Sequence, residues 1–265
     1  ADPAGELVFA SFVGEEVGGV GARAAIDDGF APDYAVVGEG STNYSGPGVT
    51  DVVVAHKGRR GSTITAAGEA AHASVPAEGE NAIYRACEAV DVVRGIEFPT
   101  VEVFGERVAG SLAVTEIEGG EAWNVIPERC TVTVDERTVP GERAPLDRVE
   151  AIEGVEWTVD QDLPPMACDD DAFAEAALAA ATDALTAGAA GSGGRPDGEP
   201  ELVTKPHATD AGWLAQAGTT CVVCGPAERG EAHTADESVD LGVLERCERL
   251  YREVAERWPP EPAGQ

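Results

Sequence analysis

Glu15 and Glu16 are adjacent carboxylates, Glu39 follows the apolar Val36-Val37-Gly38, and His233 lies late in the run Gly-Pro-Ala-Glu-Arg-Gly-Glu-Ala-His-Thr. Carboxylate oxygens and an imidazole suit a borderline divalent ion such as zinc. A neighbouring carboxylate that does not bind the metal can then take a proton from the water the metal polarises. These residue types in this pattern point to metal-assisted hydrolysis.

To serve one centre, the four side chains need elements that end at a common edge. Residues 7–13 form an apolar run that stops at Gly14 and reads as a buried strand. Glu15 and Glu16 would then sit at its carboxyl end, where α/β sheets bind ligands. Residues 18–26 read as a turn into a helix, and a short strand over residues 34–37 carries Glu39 to the same edge if it runs parallel. From about Lys57 the pattern changes. It becomes a strand (61–67), a helix (81–94) whose Tyr84, Cys87, Ala89 and Val90 make an apolar face, two alternating strands (111–117 and 128–135), and a further strand at 157–159. In size and order this is an α+β ferredoxin-like block set into an α/β sequence. The expected domains are residues 1–56, the first segment of a catalytic α/β domain; 57–162, an inserted α+β dimerisation or lid domain; and 163–265, the second catalytic segment. After Pro164-Pro165 come an alanine-rich helix (171–186) capped by Asp169 or Asp170 and a glycine-rich loop (188–198). A helix (210–217) capped by Thr209, a strand (219–224) and an amphipathic helix (241–258) complete the chain.

Composition narrows the function classes. The chain has 265 residues, with 18 Lys+Arg against 49 Asp+Glu and a formal net charge of −31. That balance repels nucleic acid. Only Lys57 and Lys205 are lysines. Self-repulsion of this size is tolerable where salt shortens the Debye length to about 3 Å at 1 M, so the surface reads as adapted to a saline cytoplasm. No apolar run approaches a membrane span, and residues 1–5 have neither a basic start nor an apolar stretch, so the expectation is a soluble cytoplasmic protein with no membrane or nucleic-acid partner. Six cysteines stand at 87, 130, 168, 221, 224 and 247. The Cys221-Val-Val-Cys224 spacing falls within an apolar strand-like run, where thiols serve as packing groups and not as redox or zinc ligands.

The motifs occur in a familiar order. Gly14-Glu15-Glu16-Val17-Gly18-Gly19, Val37-Gly38-Glu39, Gly68-Glu69-Ala70-Ala71-His72-Ala73-Ser74-Val75-Pro76, Asn124-Val125-Ile126-Pro127, Asp135-Glu136-Arg137, and Gly225-Pro226 with Ala232-His233-Thr234-Ala235-Asp236-Glu237 span nearly the whole chain. In this it resembles the dinuclear-zinc peptidase and deacylase family of acetylornithine deacetylase, succinyl-diaminopimelate desuccinylase and glutamate carboxypeptidase. The resemblance implies a zinc-peptidase-like α/β catalytic domain with an inserted ferredoxin-like domain. It implies two zinc ions, with cobalt or manganese as substitutes, a small N-acyl amino acid or peptide as substrate, and a homodimer through residues 57–162.

By that resemblance Glu15 is the general base, Glu16 and His233 ligate one ion, and Glu39 ligates the other. His72 would polarise the scissile carbonyl from across a dimer interface, while Asn124 and Arg137 hold the substrate, Arg137 through its carboxylate. The alternative for Arg137 is an ion pair with Glu136 or Asp135. Thr209-Asp210-Ala211 looks like the family's helix start, whose backbone N–H groups could bind an anionic substrate end. Three departures stand out: Gly225-Pro226-Ala227 in place of Gly-Pro-Gly, the unusual Lys205-Pro206-His207, and no counterpart of the family's first His-x-Asp motif or its bridging aspartate. The last leaves two expectations. Either a native N-terminal segment supplies them, or the chain is a truncated, catalytically silent homologue that dimerises or binds a ligand.

Overall fold

The computed structural model describes residues 5–187, 198–227, 230–231 and 234–258. In chain order the elements are α1 (Val20–Asp27), β1 (Tyr34–Val37), β2 (Val52–His56), β3 (Gly58–Ala67), β4 (Ala71–His72), α2 (Ala82–Arg94), β5 (Thr100–Val103), β6 (Glu106–Ala109), β7 (Ser111–Gly119), β8 (Val125–Ile126), β9 (Arg129–Thr138), β10 (Val155–Leu163), β11 (Met166–Ala167), α3 (Asp171–Ala187), β12 (Leu202–Lys205), α4 (Ala211–Gln216), β13 (Thr220–Val223) and α5 (Leu241–Arg257). They form two compact units. One is drawn from residues up to His56, Glu102–Glu106 and those from Pro165 onward; the other comprises Lys57–Val101 and Arg107–Pro164.

The first unit is α/β. Its sheet runs β1-β13-β2-β11, with β12 also paired to β2. β1 and β13 are parallel, as are β12 and β2, whereas β11 and β13 lie antiparallel to β2. Alternate residues of β2 and β13 enter two different cores. Val52, Val54, Val222 and Cys224 pack with α3 and α5, while Val53, Cys221 and Val223 pack with Ala211 and Leu214 of α4. Strands covered on both faces read as continuous apolar runs, which is why Val52–His56 carries no alternation that would mark it as a strand in the sequence.

The second unit is α+β. Its antiparallel sheet has the order β10-β3-β9-β7. Counting β3, β7, β9 and β10 as first to fourth, the order is fourth, first, third, second, the ferredoxin-like arrangement with its second helix reduced to a 3-10 turn at Leu146–Ala151. β3 and β9 alternate buried and half-buried positions along their length. Their buried face, with Ile64, Val132 and Val134, meets Ala82, Ala86, Ala89 and Val93 of α2, so the face expected from Tyr84, Cys87, Ala89 and Val90 is not the one buried: Tyr84 and Cys87 are exposed, because small alanines let the helix lie close on the sheet. Asn81 starts that helix by accepting a hydrogen bond from the Ile83 amide at 2.9 Å.

Two expectations are corrected. Residues 7–13 form no strand, and Leu7, Phe9 and Val13 are 68%, 92% and 75% exposed. An apolar run becomes a strand only where neighbours take its backbone hydrogen bonds and cover its side chains. Among the described residues no strand pairs with it, and only Phe12 makes a ring contact, with Phe30. Glu15 and Glu16 therefore sit on a 3-10 turn, Glu15–Val17, and not at a strand end. Most of the glycine-rich loop expected at 188–198 falls outside the described residues. The six cysteines are all free, and Cys221 and Cys224 are buried in the sheet.

Candidate functional site

Glycines bring Glu15 to its neighbours. Gly14, Gly18 and Gly19 all have positive φ, of 71°, 89° and 68°. A Cβ on Gly19 would lie 2.5 Å from Trp213 Nε1 and 2.7 Å from Asp210 Oδ1, so only glycine lets this turn close onto the start of α4. Glu39 is fixed from the other side. The Cys224 amide donates to the Val37 carbonyl at 3.0 Å, the Ser41 amide to the Gly225 carbonyl at 3.0 Å, and the Gly225 amide to Ser41 Oγ at 3.1 Å. A Cβ on Gly225 would sit 2.6 Å from the Glu39 carbonyl oxygen. Lys205, the last residue of β12, donates from Nζ to the Gly40 carbonyl at 3.0 Å.

The charges of Glu39, Glu16, Asp210 and Lys205 all act on Glu15. Burial, then the carboxylates of Glu39, Glu16 and Asp210, raise the Glu15 carboxyl to about 7, with Lys205 opposing. Burial and then Glu39 raise Asp210. Burial lowers the Lys205 ammonium, while Glu39 and Glu15 hold it up. A half-buried carboxyl poised near neutrality is the state a general base requires. Asp210 is 8% exposed, and its Oδ1 has no hydrogen-bond partner. An oxygen-rich group of carboxylates with an orphaned buried oxygen has the donor chemistry for a divalent cation. Among the described residues, however, no three His, Cys, Asp or Glu side chains stand where they could hold a metal ion together. His233 lies outside the described residues.

Thr209 also lies in this unit. Its hydroxyl accepts from the Ala211 amide at 3.2 Å and meets His56 Nε2 at 3.2 Å, with both side chains buried. The hydroxyl thus anchors the start of α4, a helix of only six residues, to the end of β2.

In the second unit, β4 pairs with β8, setting His72 opposite Val125. The Ala73 amide donates to the Asn124 carbonyl at 2.9 Å, so His72 and Asn124 are brought to one place. The Ser74 amide donates to His72 Nδ1 at 3.1 Å. Nδ1 is therefore an acceptor, and the neutral ring carries its proton on Nε2 as an outward donor. Arg137 is engaged elsewhere: its Nε meets Asp135 Oδ1 at 2.7 Å, and Arg59 Nε meets Asp135 Oδ2 at 2.6 Å. Burial alone would raise the Asp135 carboxyl, but the Arg59 hydrogen bond and the Arg137 charge outweigh it and hold the group low.

The sequence by itself assigns neither Asp210 nor Lys205 to the surroundings of Glu15. The available signal was the scarcity of lysine, which makes a lysine beside a site motif conspicuous.

Residues 54–153 match the family described as Peptidase dimerisation domain. Acetylornithine deacetylase of Myxococcus xanthus is 30% identical over 262 residues, covering 91% of this chain and 62% of that protein. Putative succinyl-diaminopimelate desuccinylase of Mycobacterium tuberculosis is 25% identical over 95% of this chain and 68% of its own length. Among solved structures, a tripeptidase from Staphylococcus aureus superposes with a TM-score of 0.66 at 19% identity, over 92% of this chain and 62% of that one. The chain thus spans about three fifths to two thirds of the length of these relatives.

Proposed function

From a chain related to the peptidase and deacylase family of acetylornithine deacetylase and succinyl-diaminopimelate desuccinylase, we propose that the protein is a metal-dependent hydrolase cleaving an amide, N-acyl or peptide bond next to a free carboxylate. The observation that carries this reading is the half-buried Glu15 next to Glu16 on a glycine turn that closes onto the start of α4, where burial and then the Glu39 and Glu16 carboxylates raise Glu15 to about 7. Glu16, Glu39 and His233 would hold zinc, with cobalt or manganese as substitutes. When bound, the ion would supply a Lewis acid beside the attacking water. Glu15 takes the proton from that water and returns it to the leaving nitrogen. By the family resemblance His72 would donate from Nε2 to the scissile carbonyl oxygen from across the dimer interface, and Asn124 would help hold the substrate. Arg137 grips the substrate carboxylate by giving up part of its pairing with Asp135. Thr209 sets the start of α4 at the rim of the site.

The substrate class is a small N-acyl amino acid or peptide, and the assembly is a homodimer through residues 57–162, working in a high-salt cytoplasm. Among the described residues no helix is long and apolar enough to cross a membrane. A second reading is a catalytically silent homologue that dimerises or binds a ligand. Turnover of N-acetyl amino acids by chain reconstituted with zinc, cobalt or manganese decides between the two. The enzyme reading expects stoichiometric metal, with turnover reduced about 10²–10⁴-fold by Glu15→Gln. A folded chain with neither supports the silent homologue. Light scattering at high salt tests the dimer.

A further inference from the structure

Arg59 on β3 and Arg137 on β9 stand directly opposite each other on neighbouring antiparallel strands. Like charges in that position repel. The repulsion was easily avoided in a chain that carries 49 acidic residues against 18 basic ones. Both side chains belong to the half-buried face of the sheet, opposite the face that meets α2, and they are 42% and 36% exposed. One carboxylate serves the two. Asp135, on the same face of β9 as Arg137, sits opposite Gly61, and Gln161 of β10 sits opposite Gly61 on the other side. Arg59 Nε donates to Asp135 Oδ2 at 2.6 Å and its Nη1 to Gln161 Oε1 at 3.0 Å, so this guanidinium is tied to the strands on either side of its own. Arg137 is held more loosely. Its Nε donates to Asp135 Oδ1 at 2.7 Å, but its Nη2 comes only within 3.4 Å of Oδ2, the oxygen that Arg59 has taken. The two-pronged grip that arginine makes on a carboxylate is thus left half open. Among the described residues Arg137 Nη1 has no hydrogen-bond partner, and neither arginine meets a carboxylate other than Asp135.

We propose that Arg59 is a positioning residue that makes Arg137 a carboxylate receptor: by occupying one oxygen of Asp135 and tying itself to Gln161, it keeps Asp135 from closing on Arg137 and leaves the terminal Nη1 and Nη2 donors of Arg137 to a ligand. The ligand class is an organic carboxylate, whose two oxygens match those two donors. Gripping it costs Arg137 only the long 3.4 Å contact, because the Nε bond to Asp135 remains. That the carboxylate belongs to a hydrolysed substrate rests on the function proposed above; the arrangement of the four side chains stands without it.

The test uses the full chain, stripped with chelator so that nothing is turned over, at fixed salt. N-acetylglycine and its amide, which lacks the carboxylate, are titrated while side-chain nitrogen NMR follows the Arg137 guanidinium, identified by its loss in Arg137→Met. N-acetylglycine should shift the Arg137 signals and the amide should not. Arg59→Met should weaken N-acetylglycine binding by about tenfold or more, because Asp135 then closes on Arg137 with both oxygens. Adding Asp135→Asn to Arg59→Met should recover most of that loss by releasing Arg137 again. An arginine that merely braces the sheet would give a double variant that binds no better than the single one. An Arg137 signal in the parent that ignores N-acetylglycine, an Arg59→Met chain that binds it as the parent does, or a double variant that recovers nothing overturns the proposal. If Arg59→Met fails to fold, Gln161→Leu, which unties the far side of Arg59, replaces it: weaker binding supports the proposal and unchanged binding overturns it. Absence of turnover by the metal-loaded parent would speak against the hydrolase reading and leave these binding measurements intact.

Discussion

Arg60 and Glu136 face each other across β3 and β9 at 2.5 Å, with side chains 10% and 2% exposed. Each has a further partner: Glu136 Oε1 accepts from the Ala144 amide at 3.0 Å, and Arg60 Nη2 donates to the Ala144 carbonyl at 2.9 Å. The guanidinium also lies over the Trp157 ring, 5.1 Å from its centroid. The pair therefore ties the sheet of the second unit to the chain entering the 3-10 turn at Leu146–Ala151.

Removing one partner of such a pair strands a buried charge. Glu136→Ala is expected to cost about 3–5 kcal/mol, while replacing both residues by apolar side chains of similar volume costs much less. Urea unfolding of the single and double variants at constant salt measures the difference. Equal losses would show that packing, not charge, sets the cost.

Glu15 makes stability depend on pH in a definite direction. Its folded pKa, about 7, exceeds the ordinary 4.5, so between those values the folded chain keeps a proton that the unfolded chain has released. This group's favourable contribution is full below about pH 4.5 and is lost as pH rises through 7. Glu15→Gln should match the parent near pH 4.5 and be the more stable at pH 8, by at most about 1 kcal/mol, because the group is half exposed and screened. Melting of metal-free protein at both pH values reads this out, and a Glu15→Gln chain less stable at pH 8 contradicts it.

Ser74 should hold the His72 tautomer. Its amide donates to Nδ1 at 3.1 Å and its hydroxyl lies 2.7 Å from the same nitrogen. Nitrogen NMR is expected to find the proton of the neutral ring on Nε2. Ser74→Ala should preserve the fold while lowering kcat by about tenfold, a cost of about 1.4 kcal/mol for one supporting hydrogen bond. An Nδ1–H form in the parent would refute this tautomer.

Thiol chemistry should separate Cys87 from the strand pair. Cys87 is exposed, whereas burial pushes the Cys221 thiol up to about 12 and that of Cys224 higher still. Since the thiolate is the nucleophile, brief alkylation at pH 8 is expected to modify Cys87 and to spare Cys221 and Cys224 until the chain is unfolded. Mass spectrometry of the labelled peptides checks this. Labelling of the strand pair at the rate of Cys87 would place those thiols outside the core.

Much of the fold was legible because its signals are local. The extent of α2, the alternation along β9 and the amphipathic α5 all appear within a turn or two of sequence, but the face of α2 does not: of the expected Tyr84, Cys87, Ala89 and Val90, Tyr84 is 69% exposed and Cys87 is exposed, because the helix turns Ala82, Ala86, Ala89 and Val93 to the sheet. β2 and β12 escaped for opposite reasons: β2 is buried on both faces and shows no alternation, and β12 has four half-buried residues and no strong signal of any kind. Residues 7–13 misled because an apolar, β-prone run states a preference, while strand formation depends on a neighbour.

By itself the sequence determined the chemistry on offer: adjacent carboxylates at 15 and 16, Glu39, a histidine in a Gly-Pro-containing segment, and a ferredoxin-like block between two α/β segments. Only the tertiary structure decided that Asp210 and Lys205 join Glu15 and Glu39, that Thr209 spends its hydroxyl on His56 and the Ala211 amide, and that Arg137 is met by Asp135. The physical reason is range. Propensity and periodicity act over a few residues, but a Coulomb interaction depends on distance in space, and the groups around Glu15 are brought together by strand pairing and glycine-permitted contacts between segments almost 200 residues apart in the chain.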